Sequence, residues 1–85
     1  MSQSEVESKL KKLIIDTLGD ELSLDNLEPE DKFEELGINS VIFIKTVVMI
    51  EGTFDIEFED DDLDVNNFVD LKSLTKHVYS KINAI

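Results

Sequence analysis

The first regular hydrophobic pattern lies in residues 5–18. Its apolar residues recur every three or four positions, which places them on one face of a helix; they are Val6, Leu10, Leu13, Ile14 and Leu18. Two serine–glutamate pairs have the spacing of a capping box: Ser2 with Glu5 and Ser4 with Glu7. Gly19 stands where a glycine commonly ends a helix. The pattern predicts an amphipathic helix that ends near Gly19.

Residues 20–39 show no continuous period, and Pro29 excludes one long helix there. Large apolar side chains are nevertheless spread through the segment: Leu22, Leu24, Leu27, Phe33, Leu36 and Ile38. We therefore expect a loop pinned onto the core, with one short turn at residues 30–36. Gly37 marks a sharp change of direction.

Residues 40–51 are rich in β-branched side chains, which would suit a strand. They do not alternate with polar residues, however. A repeat of three or four positions is present instead, at Ile44, Val47, Ile50 and Phe54. We predict a helix, with Asn39 or Ser40 as its N-cap and Gly52 as its end.

Residues 51–64 hold eight acidic residues and no lysine. Residues 55–59 alternate and are predicted to be extended, and residues 60–66 suit one short turn. Asp70 is a suitable N-cap for a last helix, whose shared apolar face is Leu71, Leu74, Val78 and Ile82. The whole pattern predicts an all-α fold with one domain over residues 1–85: a small bundle of three main helices plus a short helix, with a long loop between the first and second helices.

The charge balance restricts the partners. The net charge is -12 and every basic residue is a lysine, so nucleic acid and anionic membrane surfaces are excluded as partners. Proteins with basic docking patches are favoured. The sequence has no cysteine, no signal peptide pattern and no apolar run long enough to span a membrane. We expect a cytoplasmic monomer.

Reactive groups are few. His77, the one histidine, is offset from the apolar face of the last helix and is predicted to be a solvated surface residue. The acidic run matches an EF-hand loop only at the first three ligand positions, which hold Asp55, Glu57 and Glu59. The position that requires glycine holds Asp60, and the position that requires glutamate holds Asn66. We predict no catalytic residues and no metal site. A non-catalytic acidic helical interaction or cation-binding domain stays open as an alternative.

Ser40 differs because of its surroundings, although it could be a plain N-cap serine. The segment Phe33-Glu34-Glu35-Leu36-Gly37-Ile38-Asn39-Ser40-Val41 resembles the signature of acyl and peptidyl carrier proteins. In that family a phenylalanine and a Leu-Gly pair precede an Asp-Ser-Leu triplet. Glu51, Phe54, the acidic stretch and the last helix also resemble the family in order and spacing. Asn39 replaces the usual aspartate, and asparagine caps a helix as well as aspartate does. Val41 replaces the usual leucine.

The resemblance implies a carrier with no catalytic activity. Ser40 would bear a 4'-phosphopantetheine arm from coenzyme A, with Asn39 as the preceding cap position. The arm would hold an acyl or aminoacyl group as a thioester for delivery in fatty acid, polyketide or nonribosomal peptide-type biosynthesis. The implied partners are a phosphopantetheinyl transferase and acyl- or aminoacyl-loading and condensing enzymes.

The family's partner-facing positions correspond to Val41, Ile42, Lys45, Val48 and Met49. In carriers of fatty acid synthesis, the positions matching Ile42 and Lys45 are commonly acidic. The difference favours a specialised free-standing carrier over generic fatty acid synthesis. The alternative is that Ile42 and Met49 pack under the preceding loop.

Overall fold

Three α-helices and one short 3-10 helix form the part of the protein that the structure describes. The computed structural model describes residues 2–63 and 68–83. The helices are α1 (Gln3–Leu22), α2 (Ser40–Phe54) and α3 (Leu71–Ile82), and the 3-10 helix Asp60–Asp62 lies between α2 and α3. This confirms the predicted all-α fold, including the long α1–α2 loop. Part of the turn predicted at residues 60–66 lies outside the described residues. Within the described ranges, no helix is long and apolar enough to cross a membrane.

Helix α1 begins at the capping box formed by Ser2 and Glu5. The backbone N–H of Glu5 donates to Ser2 Oγ at 3.2 Å, and the N–H of Ser2 donates to Glu5 Oε1 at 3.3 Å. The predicted end at Gly19 is wrong, because the helix continues to Leu22. Ser23 adopts the left-handed conformation that ends the helix, with φ of 53°. Gly19 contributes its carbonyl oxygen, which accepts the N–H of Leu24 at 2.8 Å.

Helix α2 differs from the sequence-based prediction at its end and in its buried face. It continues past Gly52 to Phe54, and the C-cap residue Asp55 is also left-handed at φ 56°. Ile44, predicted to be on the apolar face, is 45% exposed, and Phe43 is buried instead. The reason is that α2 is apolar nearly all round, so its own periodicity did not determine which face is buried.

One hydrophobic core joins the helices and the loop. Its side chains from α1 and α2 are Val6, Leu10, Ile14, Leu18, Phe43, Val47 and Ile50. The α1–α2 loop adds Leu24, Leu27, Phe33 and Ile38, which confirms that it is pinned onto the core. Helix α3 begins at the predicted N-cap, where Asp70 Oδ1 accepts the N–H of Ser73 at 2.9 Å. Leu71, Leu74 and Val78 of its predicted face are buried, and Ile82 is half-buried.

The segment before the 3-10 helix lies against α3. Residues 56–59 have no helical structure, and Phe58 is buried with its N–H donating to Glu51 Oε2 at 2.9 Å. The prediction that His77 is a solvated surface residue is wrong. Its side chain is only 28% exposed, and its ring lies 5.3 Å from that of Phe58 and 4.9 Å from that of Phe68. Sequence offset alone could not show that these two aromatic residues cover it.

Asp62 connects the 3-10 helix to α3. Its Oδ2 lies 3.2 Å from His77 Nε2 and 3.5 Å from Lys81 Nζ, and it accepts the N–H of Glu59 at 3.1 Å. Desolvation acts to raise the pKa of Asp62, but the Glu59 N–H and the neighbouring His77 and Lys81 outweigh it. The pKa of Asp62 therefore lies below its ordinary value.

Candidate functional site

Ser40 is the first residue of α2, and its side chain is exposed. Asn39 is the N-cap: its backbone is extended and its Oδ1 accepts the N–H of Ile42 at 2.9 Å. The first N–H groups of a helix have no partner within the helix, and they give its N-terminus a partial positive charge. A phosphodiester on Ser40 would therefore lie in a favourable electrostatic environment.

The turn before Ser40 is held by the backbone. Gly37 has φ of 88°, a conformation that side-chain-bearing residues rarely adopt. The N–H of Ile38 donates to the carbonyl oxygen of Phe33 at 3.0 Å, and both side chains are buried. The turn predicted around residues 30–36 is present over residues 33–37. The position of Ser40 is thus fixed by two buried side chains and a glycine turn.

An open groove of about 450 Å³ lies beside Ser40. One wall is the turn of the α1–α2 loop, and the other is Phe68 and Val69, just before α3. The groove is lined by Lys32, Phe33, Glu34, Gly37, Ile38, Asn39, Ser40, Phe68 and Val69. Sequence reasoning missed Phe68 and Val69, because nothing in the local pattern indicates that they lie next to Ser40.

The positions implied as partner-facing differ in exposure. Val41, Val48 and Met49 are 77%, 60% and 43% exposed. Lys45 is also exposed, with its Nζ 3.6 Å from Glu21 Oε2. Ile42 is half-buried and packs against the core, whereas Met49 is not buried. Of the two residues that the alternative interpretation expected to be packed, Ile42 and Met49, only Ile42 is packed in the structure.

Ile44 is an exposed apolar residue that the resemblance did not indicate. It lies three residues after Val41 and four before Val48, so the three side chains share one face of α2. We call Val41, Ile44 and Val48 the exposed stripe. The available sequence signal was the apolar composition of α2. A helix that is apolar nearly all round cannot bury every apolar side chain, so some of them must be exposed.

The acidic segment after α2 does not form a recognisable metal site where it is described. Asp55 ends α2, and Glu57 and Glu59 are exposed. Within residues 2–63 and 68–83, no three histidine, cysteine, aspartate or glutamate side chains are grouped to hold a metal ion. Asn66, at the last position of the partial EF-hand match, lies outside the described residues.

Comparisons with known proteins identify the family to which the chain belongs. The family described as "Phosphopantetheine attachment site" matches residues 8–78. An acyl carrier protein of Nitratidesulfovibrio vulgaris is 40% identical over 58 residues, which cover 67% of this chain and 74% of that protein. An acyl carrier protein of Chlorobium phaeovibrioides is 29% identical over 63 residues, covering 73% of this chain and 78% of that protein.

A solved structure supports the fold. The crystal structure of an acyl carrier protein from Thermotoga maritima superposes with a TM-score of 0.77, covering 99% of this chain and 94% of that chain. Its sequence identity of 24% supports the fold alone. The family match covers most of the chain and includes the exposed serine at the start of α2. The chain therefore belongs to the phosphopantetheine-binding family of acyl carrier proteins, and it is a non-catalytic carrier that delivers acyl groups on a phosphopantetheine arm.

Proposed function

We propose that Ser40 bears the phosphopantetheine arm and that residues 1–85 act as one monomeric carrier domain. The observation that carries this proposal is the exposed Ser40 side chain directly after the Asn39 N-cap. Ser73, by comparison, uses its Oγ to donate to Asp70 Oδ1 at 2.8 Å. Among the residues that the structure describes, Ser40 Oγ makes no side-chain hydrogen bond that would compete with a transferase.

The attachment is a phosphoryl transfer from coenzyme A. Ser40 Oγ attacks the phosphorus that carries the pantetheine, and a new O–P bond forms. The pyrophosphate P–O bond breaks, adenosine 3',5'-bisphosphate leaves with the bond's electron pair, and the serine proton passes to a base of the transferase. The carrier supplies only the hydroxyl, its position and the N-terminal dipole of α2.

The bound arm supplies a thiol that holds the cargo as a thioester. The residues of the carrier position that arm and present it to partner enzymes. A tether raises the effective concentration of the cargo at a partner's active site, which is the advantage of a carrier over free cargo. This role requires no catalytic group beyond the point of attachment.

The surface of α2 favours a specialised carrier over one of generic fatty acid synthesis. Although the chain has a net charge of -12, residues 40–50 contain no acidic residue and one lysine. Besides Ser40, their exposed side chains are Val41, Ile44, Lys45, Val48 and Met49. We propose that acyl- or aminoacyl-loading and condensing enzymes of polyketide or nonribosomal peptide-type pathways bind this face through apolar contacts, with the more acidic segments acting in steering.

Intact mass tests the attachment. The protein is incubated with coenzyme A, magnesium and a promiscuous phosphopantetheinyl transferase, alongside Ser40→Ala and Ser4→Ala. Ser4 is a matched control because it is also an exposed serine in the first turn of a helix. We expect the mass of one phosphopantetheine on the parent and on Ser4→Ala, and none on Ser40→Ala. A folded parent that gains no mass with several transferases would support the alternative, an interaction module without an arm.

A further inference from the structure

Val69 is an exposed apolar residue whose exposure the role of α2 does not explain. Its side chain is 52% exposed. The other large apolar residues exposed in the described part of the chain all lie on α2: Val41, Ile44, Val48 and Met49. Single exposed apolar residues are common on protein surfaces. What distinguishes Val69 is its position next to Ser40 and its fixed backbone.

Val69 and Ser40 face the same open groove, although they are far apart in the chain. The groove has a volume of about 450 Å³, and both residues line it. An enzyme that modifies Ser40 covers much more than one side chain, since a standard protein–protein interface buries about 800 Å² on each partner. An interface of that size around Ser40 extends across this small groove to Val69.

The backbone around Val69 is held by the α1–α2 loop. The N–H of Phe33 donates to the carbonyl oxygen of Val69 at 2.9 Å, and the backbones of Lys32 and Asp70 form an isolated antiparallel bridge. The preceding residue, Phe68, is only 5% exposed, and the following one, Asp70, caps α3. A partner that contacts Val69 would therefore not need to order this segment, which avoids part of the entropic cost of binding.

The chemistry around Ser40 favours an apolar contact over an ionic one. Residues 40–50 contain no acidic residue and one lysine. The charged side chains that line the groove are Lys32 and Glu34, which have opposite signs. Exposed ion pairs contribute little to binding, whereas an apolar side chain near the centre of an interface can contribute strongly. Val69 is the exposed apolar side chain on this side of Ser40.

From these observations we propose that Val69 is a contact residue for the phosphopantetheinyl transferase. The proposal rests on attachment at Ser40. The transferase surface that meets Val69 is apolar, and its contact area extends from Val41 on α2 across the groove to the segment before α3. Recognition then depends on the tertiary fold, because the contacts come from two segments that only folding brings together.

Kinetics of arm attachment test this contact. The parent protein, Val69→Gln and Thr53→Gln are compared with a promiscuous transferase and coenzyme A, after circular dichroism verifies that each is folded. We expect kcat/KM to fall by about tenfold for Val69→Gln and to stay unchanged for Thr53→Gln, whose site is exposed at the far end of α2. Prolonged incubation should still give Val69→Gln one phosphopantetheine by intact mass, because Ser40 is present.

The contact and the attachment fail in distinguishable ways. A parent protein that loads on Ser40, together with an unchanged kcat/KM for folded Val69→Gln, would overturn the contact and leave the attachment intact. A folded parent protein that gains no mass with several transferases would overturn both.

A labelling experiment tests the same surface independently of the glutamine variant. The chain has no cysteine, so Val69→Cys and Thr53→Cys each introduce a single thiol. Each is alkylated with a polyethylene glycol maleimide and freed of reagent before coenzyme A is added. We expect the label to slow loading of Val69→Cys by about tenfold or more and to leave Thr53→Cys unaffected. Equal loading rates for labelled and unlabelled Val69→Cys would contradict the proposal, and this result decides it if Val69→Gln does not fold.

Discussion

Asn39 Oδ1 accepts the backbone N–H of Ile42 at 2.9 Å, and this contact begins the helix on which Ser40 stands. The cap satisfies one of the unpaired N–H groups of the first turn. Ser40 is thereby relieved of the capping role, and its side chain remains exposed. Asparagine in place of the family's usual aspartate preserves this geometry without the negative charge.

Replacing the cap should destabilise the protein. We expect Asn39→Ala to lower the free energy of unfolding by about 1 kcal/mol, the usual cost of losing a side-chain N-cap. Asn39→Asp keeps the acceptor and adds a charge that the helix dipole favours, so its stability should equal or exceed that of the parent. Urea unfolding followed by circular dichroism measures both differences. An Asn39→Ala protein as stable as the parent would show that the 2.9 Å contact contributes nothing.

The two helical glycines should respond differently to alanine. A Cβ at Gly52 would meet nothing within 4 Å, whereas one at Gly19 would lie 3.2 Å from the carbonyl oxygen of Leu24. We expect Gly52→Ala to stabilise the protein by about 0.5–1 kcal/mol through helix propensity. Gly19→Ala should gain less or lose stability, because the new methyl crowds the backbone oxygen. Thermal unfolding of the pair measures this, and an equal gain at both positions would contradict the account.

These glycines also show why the helix ends were predicted too early. A glycine after a periodic segment is a common stop signal. Both helices nevertheless extend beyond the glycine, to Leu22 and Phe54, and are followed by the left-handed C-cap residues Ser23 and Asp55. What extends them is packing against the rest of the bundle. The caps at Ser2, Asn39 and Asp70 were predictable, since each depends on residues within one turn.

Asp62 should make stability depend on pH. Because its pKa in the folded protein lies below the ordinary value of 3.8, its ionised form is favoured by folding. Its contribution is complete above the unfolded pKa and is lost as pH falls through the folded pKa. We expect Asp62→Asn to lower the free energy of unfolding at neutral pH by about 1 kcal/mol, and the difference from the parent to shrink in acid.

Asp25→Asn is the control for Asp62→Asn. It removes the same charge from an exposed loop position. Its change in the free energy of unfolding therefore measures how much the loss of one negative charge relieves electrostatic repulsion in a chain of net charge -12. Urea titrations at several pH values compare the two variants with the parent. Equal behaviour of both variants at neutral pH would mean that the contacts of Asp62 with His77 and Lys81 do not stabilise the fold.

Val41 should matter for recognition and not for folding. It is 77% exposed and adjacent to Ser40, so we expect a transferase that reaches Ser40 to contact it. We expect Val41→Gln to change the free energy of unfolding by less than about 0.5 kcal/mol. Its kcat/KM with the transferase should fall by about tenfold, which corresponds to one lost apolar contact of about 1.4 kcal/mol.

Thr53→Gln is a matched control for Val41→Gln, since Thr53 is exposed at the opposite end of α2. It should leave both stability and kcat/KM unchanged. Steady-state kinetics with varied carrier concentration separates a binding effect from a change in turnover. An unchanged kcat/KM for Val41→Gln would remove Val41 from the recognition surface.

The sequence predicted the residues of the candidate site that are neighbours along the chain. It did not predict the residues that only the tertiary fold brings next to them. Ser40, Asn39 and the Gly37 turn are close in sequence, and their order carries the family resemblance. The second wall of the groove comes from Phe68 and Val69, which reach Ser40 only through the folding of α3 onto the bundle. His77 was misjudged for the same reason, because its cover comes from Phe58 and Phe68.

Fragment mass spectrometry of the modified protein shows which serine carries the arm. The parent protein, labelled by transferase and coenzyme A, is digested and each serine-containing peptide is sequenced. We expect one phosphopantetheine on Ser40, with Ser2, Ser4, Ser8, Ser23, Ser73 and Ser80 unmodified. A phosphopantetheine found on another serine, or on Ser40→Ala protein, would contradict it.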